Sequence, residues 1–152
     1  MLEPGDDAPQ FTLPNQDGEE VSLDSLPGDY AVVYFYPRAD TPGCTTEACS
    51  FRDDWDAYED AGVSVVGVSD DPVDDLADFR EKYDLPFDLL SDEDGEVSEA
   101  YASYGEKNVF GNEVTGVFRN TFVVKGGEIV AVYEGVDPEN HAEEILGDLD
   151  LN

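Results

Sequence analysis

Two cysteines, Cys44 and Cys49, lie five residues apart in the segment Pro37-Arg38-Ala39-Asp40-Thr41-Pro42-Gly43-Cys44-Thr45-Thr46-Glu47-Ala48-Cys49. Sulfur attacks electrophiles as the thiolate, so a reactive cysteine needs N–H donors or a cation beside it. Thr41 followed by Pro42 reads as a helix N-cap with proline at the first helical position, which places Cys44 in the first turn. The N–H groups of that turn have no intrahelical acceptors, and together with the positive end of the helix dipole they favour an anionic sulfur. The chain's net charge of −31 opposes the same anion. A local cation is therefore needed, and only four arginines are available to supply it. Arg119, at the start of a predicted neighbouring strand, is the expected one.

The elements that must hold these groups can be read from periodicity. Tyr30 to Tyr36 (YAVVYFY) is an almost unbroken apolar, β-branched and aromatic run, as a strand covered on both faces requires. It is expected to be a central strand, at whose carboxyl end reactive groups gather in open α/β sheets. Beyond a loop, Ala48, Phe51, Trp55 and Tyr58 recur at helical spacing until Gly62, which predicts one amphipathic helix. Val63 to Ser69 reads as a second buried strand, and Pro72 opens a helix with Val73, Leu76, Phe79, the Arg80 stem and Tyr83 inward. Pro86 to Leu90 gives a short strand, and Glu96 to Tyr104 a short helix ended by Gly105.

Upstream, Gln10 to Leu13 and Glu20 to Leu23 flank the turn Asn15-Gln16-Asp17-Gly18 and predict a hairpin. Downstream, Arg119 to Val124 and Ile129 to Tyr133 are joined by Lys125-Gly126-Gly127-Glu128 and should pair antiparallel. Pro138 to Leu149 reads as a closing helix with Ile145 and Leu149 inward. This order describes an α/β, thioredoxin-like fold: a mixed central sheet flanked by helices on both faces, with an N-terminal β-hairpin. With no repeat and no linker, residues 1–152 read as a single domain.

Composition narrows the function classes. With 40% hydrophobic residues there is material for a core, so the acidity does not mark a disordered tail. A field this negative repels phosphate backbones and anionic headgroups, which argues against nucleic acid and membrane surfaces as partners. No apolar run reaches the roughly 20 residues of a spanning helix, and the start lacks a basic segment followed by an apolar one, so a cytoplasmic location is expected. Twenty-two Asp and sixteen Glu are spread along the whole chain against three Lys, the pattern of a halophilic protein working in screening salt.

Other chemistries fit poorly. Cysteines five apart are not a Cys-x-x-Cys pair, and with one histidine the soft ligands are too few for structural zinc. Setting Gly95 of Asp92-Glu93-Asp94-Gly95-Glu96 at position 6 of a calcium loop puts Leu90 where a carboxylate is required, so a turn and helix start is the better reading. His141 is expected at the surface, and Asp53-Asp54, Asp70-Asp71 and Asp74-Asp75 on solvated faces.

The stretch Phe35-Tyr36-Pro37 to Thr41-Pro42-Gly43-Cys44-Thr45-Thr46-Glu47 resembles the peroxiredoxin motif Pro-x-x-x-Thr-x-x-Cys. With Cys49 and with Phe118-Arg119-Asn120-Thr121-Phe122, the sequence is similar to the peroxiredoxin Q or bacterioferritin comigratory protein branch. The similarity extends over nearly the whole chain, including Asp6-Asp7-Ala8-Pro9-Gln10-Phe11 and Leu89-Leu90-Ser91-Asp92. The resemblance implies a thiol-dependent peroxidase of the atypical two-cysteine type, acting on hydrogen peroxide and small organic hydroperoxides. Cys44 would be the peroxidatic nucleophile that becomes a sulfenic acid, and Cys49 would resolve it as an intramolecular disulfide. A thioredoxin-like or glutaredoxin-like donor would then reduce that disulfide. Thr41 would hydrogen-bond the thiolate and the peroxide, Arg119 would hold the thiolate and the developing oxyanion, and Pro37 would shield Cys44 from water. Glu47 would either position the arginine or favour the positive helix start. No metal or organic cofactor is implied, and a monomer or weak dimer is expected. The other reading is a peroxide-sensing relay that passes oxidation to a partner protein.

Overall fold

Between Gln10 and Leu23 the chain closes into an antiparallel hairpin of β1 (Thr12–Pro14) and β2 (Glu20–Ser22). Asn15 holds the turn, its Oδ1 accepting the N–H groups of Asp17 at 2.9 Å and Glu19 at 3.0 Å. The computed structural model describes residues 2–26, 28–109, 111–139 and 141–148. After the hairpin come β3 (Tyr30–Phe35), α1 (Pro42–Asp53), α2 (Trp55–Asp60), β4 (Val63–Ser69) and α3 (Val73–Tyr83). They are followed by β5 (Asp88–Ser91), α4 (Glu96–Ala100), β6 (Tyr104–Val109) and β7 (Asn112–Val117). The chain then runs through β8 (Thr121–Lys125), β9 (Glu128–Tyr133) and α5 (His141–Asp148).

Five strands form the main sheet in the order β5-β4-β3-β8-β9, with the apolar run of β3 at its centre. β3 is parallel to β4 and antiparallel to β8, so the mixed sheet follows from two βα crossovers and then a hairpin. That hairpin turns through Gly126 and Gly127, both at positive φ (61° and 80°), the geometry a two-residue turn with the twist of its strands requires.

Alternation along β3 divides the core. Val32, Tyr34 and Tyr36 pack with Cys44, Ala48 and Phe51 of α1, Tyr58 of α2, Leu76 and Phe79 of α3, and Ala142, Ile145 and Leu146 of α5. Ala31, Val33 and Phe35 meet Phe11, Leu13, Leu23, Tyr101 and Phe122 on the other face. The helices are therefore unevenly shared: four pack on one face, and the hairpin with Tyr101 and Val97 of α4 covers the other. No helix among the described residues is long and apolar enough to cross a membrane.

Three predicted elements differ. The single helix expected from Ala48 to Gly62 is two, broken at Asp54 (φ −98°, ψ 11°). Asp53 and Asp54 are poor helix formers whose charge would face the negative end of a helix dipole, so the break falls there. The helix expected to run to Tyr104 stops at Ala100, because Ala102 takes a positive φ of 54° and Tyr104 opens the β6–β7 hairpin. That hairpin was not anticipated, since Tyr104 to Val109 carries little apolar alternation. The closing helix begins at His141 rather than Pro138; Ile145 is buried as expected, and Leu149 lies outside the described residues.

Candidate active site

The loop from Pro37 to Thr41 leaves the carboxyl end of β3 and is tied down before α1 begins. Asp71, just past β4, accepts the Ala39 N–H at 2.7 Å and the Ser69 hydroxyl at 2.8 Å through Oδ2. Asp40, at a positive φ of 60°, is held by Lys82 Nζ at 2.9 Å and the Tyr83 hydroxyl at 2.7 Å from the end of α3. The expectation of a solvated Asp71 is corrected: it is 5% exposed, because the loop folds over it and its Oδ2 takes donors from both the loop and β4. Asp92 is buried as well, and accepts the Val97 and Ser98 N–H groups at the start of α4, in keeping with a turn and helix start.

Thr41 is the N-cap and Pro42 the first residue of α1, which sets Cys44 in its first turn as the sequence predicts. The Thr41 hydroxyl donates to the Arg38 carbonyl at 2.8 Å, and among the described residues no hydrogen bond joins it to Cys44. The Thr41 hydroxyl is therefore turned into the loop. Pro37 is half-buried at the head of that loop. Cys49, on the same helix, is half-exposed and lines a depression of about 450 Å³ with Thr45, Thr46, Ser50, Asp53 and Glu139. Burial pushes its thiol up, against the pull of Arg52, and Asp53 adds to the rise.

Arg119 is where the charge argument places it. Its Nη2 donates to Cys44 Sγ at 3.4 Å, and its Nη1 pairs with Glu47 Oε1 at 2.9 Å. Cys44 is 1% exposed and Glu47 is fully buried. The guanidinium lies against Gly43, where a Cβ would sit 3.0 Å from Nη2, so a side chain there would press on the arginine. The backbone of Arg119 is fixed on both sides. Its carbonyl accepts the Val136 N–H at 2.8 Å, and the carbonyl of Asn120 accepts the Phe35 N–H at 2.7 Å at the end of β3. Asn120 also donates to Ser103 Oγ at 3.0 Å and accepts the Gly135 N–H at 3.1 Å.

Burial works against the charge on Arg119, yet Cys44 and Glu47 outweigh it and raise its pKa. Burial drives Glu47 the other way from an ordinary carboxylate, up to about 7, with Arg119 opposing the rise. Its second oxygen, Oε2, has no hydrogen-bond partner among the described residues.

His141 is the second correction. It is 1% exposed rather than at the surface, because α5 lays its first residue between Phe51 of α1 and Tyr133 of β9. Nε2 lies 2.8 Å from Thr121 Oγ1 and Nδ1 lies 3.0 Å from Glu144 Oε1. Burial lowers its pKa, against the pull of Glu144. Its polar neighbours in sequence concealed a partner supplied by a distant strand. Asp40 and Gly43 were given no role from sequence, since nothing local to them announces one that depends on Lys82 and Arg119.

A sulfur at a helix N-terminus, hydrogen-bonded to a half-buried guanidinium, is equipped to be an anion and to attack a small electrophile. The same guanidinium can meet negative charge that develops on a departing oxygen. The AhpC/TSA family matches residues 4–132. Peroxiredoxin Bcp of Escherichia coli K12 is 44% identical over 146 residues, spanning 95% of this chain and 94% of that one. A mutant of Xylella fastidiosa PrxQ superposes with a TM-score of 0.91 at 30% identity, covering 99% of this chain and 96% of the other. The bacterioferritin comigratory protein of Xanthomonas campestris, described for its alkyl peroxide reduction activity, superposes with a TM-score of 0.85 at 33% identity, covering 92% and 90%. With its buried cysteine and paired arginine in a thioredoxin fold, the chain belongs to the AhpC/TSA family and, within it, to the Bcp and peroxiredoxin Q group of thiol-dependent peroxidases.

Proposed function

We propose that Cys44 is the peroxidatic sulfur and that it attacks hydrogen peroxide and small organic hydroperoxides. The observation that carries this is the Arg119 guanidinium 3.4 Å from a sulfur in the first turn of α1. The sulfur–oxygen bond forms as the oxygen–oxygen bond breaks; sulfur is oxidised to the sulfenic acid, and the departing oxygen takes a proton to leave as water or an alcohol. Arg119 holds the thiolate and then the developing oxyanion, while Pro37 limits water at the sulfur. Thr41 reaches the peroxide by turning its hydroxyl from the Arg38 carbonyl toward Cys44.

Cys49 resolves the sulfenic acid, expelling water and closing an intramolecular disulfide. A thioredoxin-like or glutaredoxin-like dithiol then reduces it; the half-exposed position of Cys49 supports attack from outside. The 1–152 chain acts as a single domain, monomeric or weakly dimeric, in the cytoplasm of a halophilic host, a reading supported by acidic residues spread along its whole length. The test is peroxide consumption by the wild type and by Cys44→Ser, whose hydroxyl supplies no comparable anion at neutral pH. Loss of consumption in the variant is expected, and retained turnover would overturn the assignment.

A further inference from the structure

Glu47 is a buried carboxyl that the attack on peroxide does not itself require, and it shares the charge that the attack does require. One guanidinium serves both anions: Arg119 Nη2 faces Cys44 Sγ at 3.4 Å and Nη1 faces Glu47 Oε1 at 2.9 Å. The two acids stand three residues apart on α1, so both project from one face of the helix. The groups turned toward Glu47 from the elements packed on α1 do not add a second cation. The Tyr34 and Tyr36 phenols on the sheet side are pushed far up by burial and remain neutral. His141, at the head of α5 and packed on Phe51 of α1, has its pKa lowered by burial, which disfavours its charged form. Two anions in a water-poor site with one cation repel each other more than either would in solvent.

We propose that Cys44 and Glu47 hold a single negative charge between them opposite Arg119, so that Glu47 carries a proton whenever Cys44 is the reactive thiolate. The proton has a place to sit: Oε1 keeps the guanidinium, and Oε2 is buried with no other partner among the described residues. A carboxyl pushed up to about 7 by burial agrees with it.

The reaction then balances within the site. Thiolate, protonated Glu47 and hydroperoxide become sulfenic acid, ionised Glu47 and alcohol, with sulfur oxidised by two electrons and the oxygen–oxygen bond reduced. The peroxide's own proton stays on the new S–OH, and the proton given up by Glu47 matches the one gained by the leaving oxygen. As the sulfur loses its charge Glu47 regains its own, and Arg119 faces one anion throughout. Glu47 is thus a positioning residue that acts through Arg119 and sets the pH range of the reactive form.

This rests on Cys44 being the attacking sulfur, and the test separates the two ideas. Glu47→Gln keeps the shape and an oxygen for Arg119 but cannot ionise. The pH profile of single-turnover peroxide consumption is expected to move to lower pH by about one unit or more, the scale of removing a like charge at this range. In weakly buffered solution near pH 7 the wild type is expected to take up clearly less than one proton per peroxide consumed, because Glu47 gives up part of the proton the leaving oxygen gains, and Glu47→Gln to take up close to one. Consumption with an unmoved profile and equal proton uptake in both proteins would leave Glu47 as a structural holder of Arg119 and overturn the proposal. Failure of both proteins to consume peroxide would instead overturn the reading of Cys44.

Discussion

Arg119 Nη2 meets Cys44 Sγ at 3.4 Å across 75 residues of chain, joining the lead-in to β8 to the first turn of α1. On the proposed reading of Cys44 as the attacking thiolate, this guanidinium is the cation that offsets its charge in a molecule with 38 acidic side chains. Arg119→Met removes it together with a donor to the departing oxygen. Loss of one such donor slows reactions of this kind by about 10²- to 10³-fold. Single-turnover rates and ultraviolet thiolate absorbance should both fall at neutral pH, while a rate within a few-fold of wild type would mean that the helix N–H groups suffice.

Cys49→Ser should consume one equivalent of peroxide and then stall as the Cys44 sulfenic acid, open to further oxidation to the sulfinic form. Mass spectrometry of the peroxide-treated protein reads the added oxygens. Unchanged cycling with a thioredoxin as sole reductant would remove Cys49 from the resolving role.

Both cysteines are free and lie within the same continuous helix, α1. Five residues along an ideal helix put two Cα atoms about 8 to 9 Å apart, beyond the roughly 7 Å that a disulfide spans. Bond formation therefore needs the first turns of α1 to unwind. This releases the buried side chains of Cys44, Glu47 and Ala48 and separates the Glu47–Arg119 pair, so the step is less free than a polar helix start would suggest. It should stop at Phe51, which stacks on Tyr34 at 4.8 Å and meets Phe87 at 6.2 Å. Oxidation should speed amide exchange across residues 42–52 and alter the fluorescence of Trp55, which packs on Phe87, with both effects reversed by dithiothreitol. An oxidised protein with a 44–49 disulfide and unchanged exchange would contradict this.

Stability should fall as pH rises through the range of Glu47. Burial lifts its carboxyl from an ordinary 4.5 to about 7, so between these values the folded state binds more protons than the unfolded one. The unfolded state then gains relative to the folded one as protons are withdrawn, and the stabilisation present below 4.5 is lost through about 7. His141 slopes the other way: its lowered pKa makes the folded state less ready to protonate, and its contribution is lost as pH falls below 6.5. Urea midpoints measured across pH should decline less between 4.5 and 7 in Glu47→Gln than in wild type. Identical slopes would show that Glu47 ionises in the fold as it does in water.

Salt should act on the fold and only weakly on the chemistry. A net charge of −31 repels itself over about 10 Å at 0.1 M salt and about 3 Å at 1 M. Dialysis to low salt should reduce helical circular dichroism, and adding salt should restore it. With the fold held, attack on neutral hydrogen peroxide should vary little with salt, whereas an anionic hydroperoxide should react faster as screening increases. Equal salt slopes would deny the surface any part in substrate approach.

The central strand, the helix start at Thr41-Pro42 and the first-turn position of Cys44 were all legible from residue order, because each depends on neighbours within a few positions: an apolar run, a cap and a proline. Arg119 could be named as the cation because, of the four arginines, it opens a strand predicted to neighbour the central one. What only the packed molecule decides is which carboxylates and imidazole leave water. Asp71 looks like its solvated neighbours until the Ala39 N–H closes over it, and His141 looks polar and exposed until α5 sets it against Phe51 and Thr121. Glu47 lies one step from Thr46 on the same turn, yet one is exposed and the other fully buried, because helical rotation turns a single face of α1 toward a guanidinium from 72 residues away. Burial and long-range pairing arise from elements meeting in space, and local periodicity carries no record of which distant residue will stand opposite.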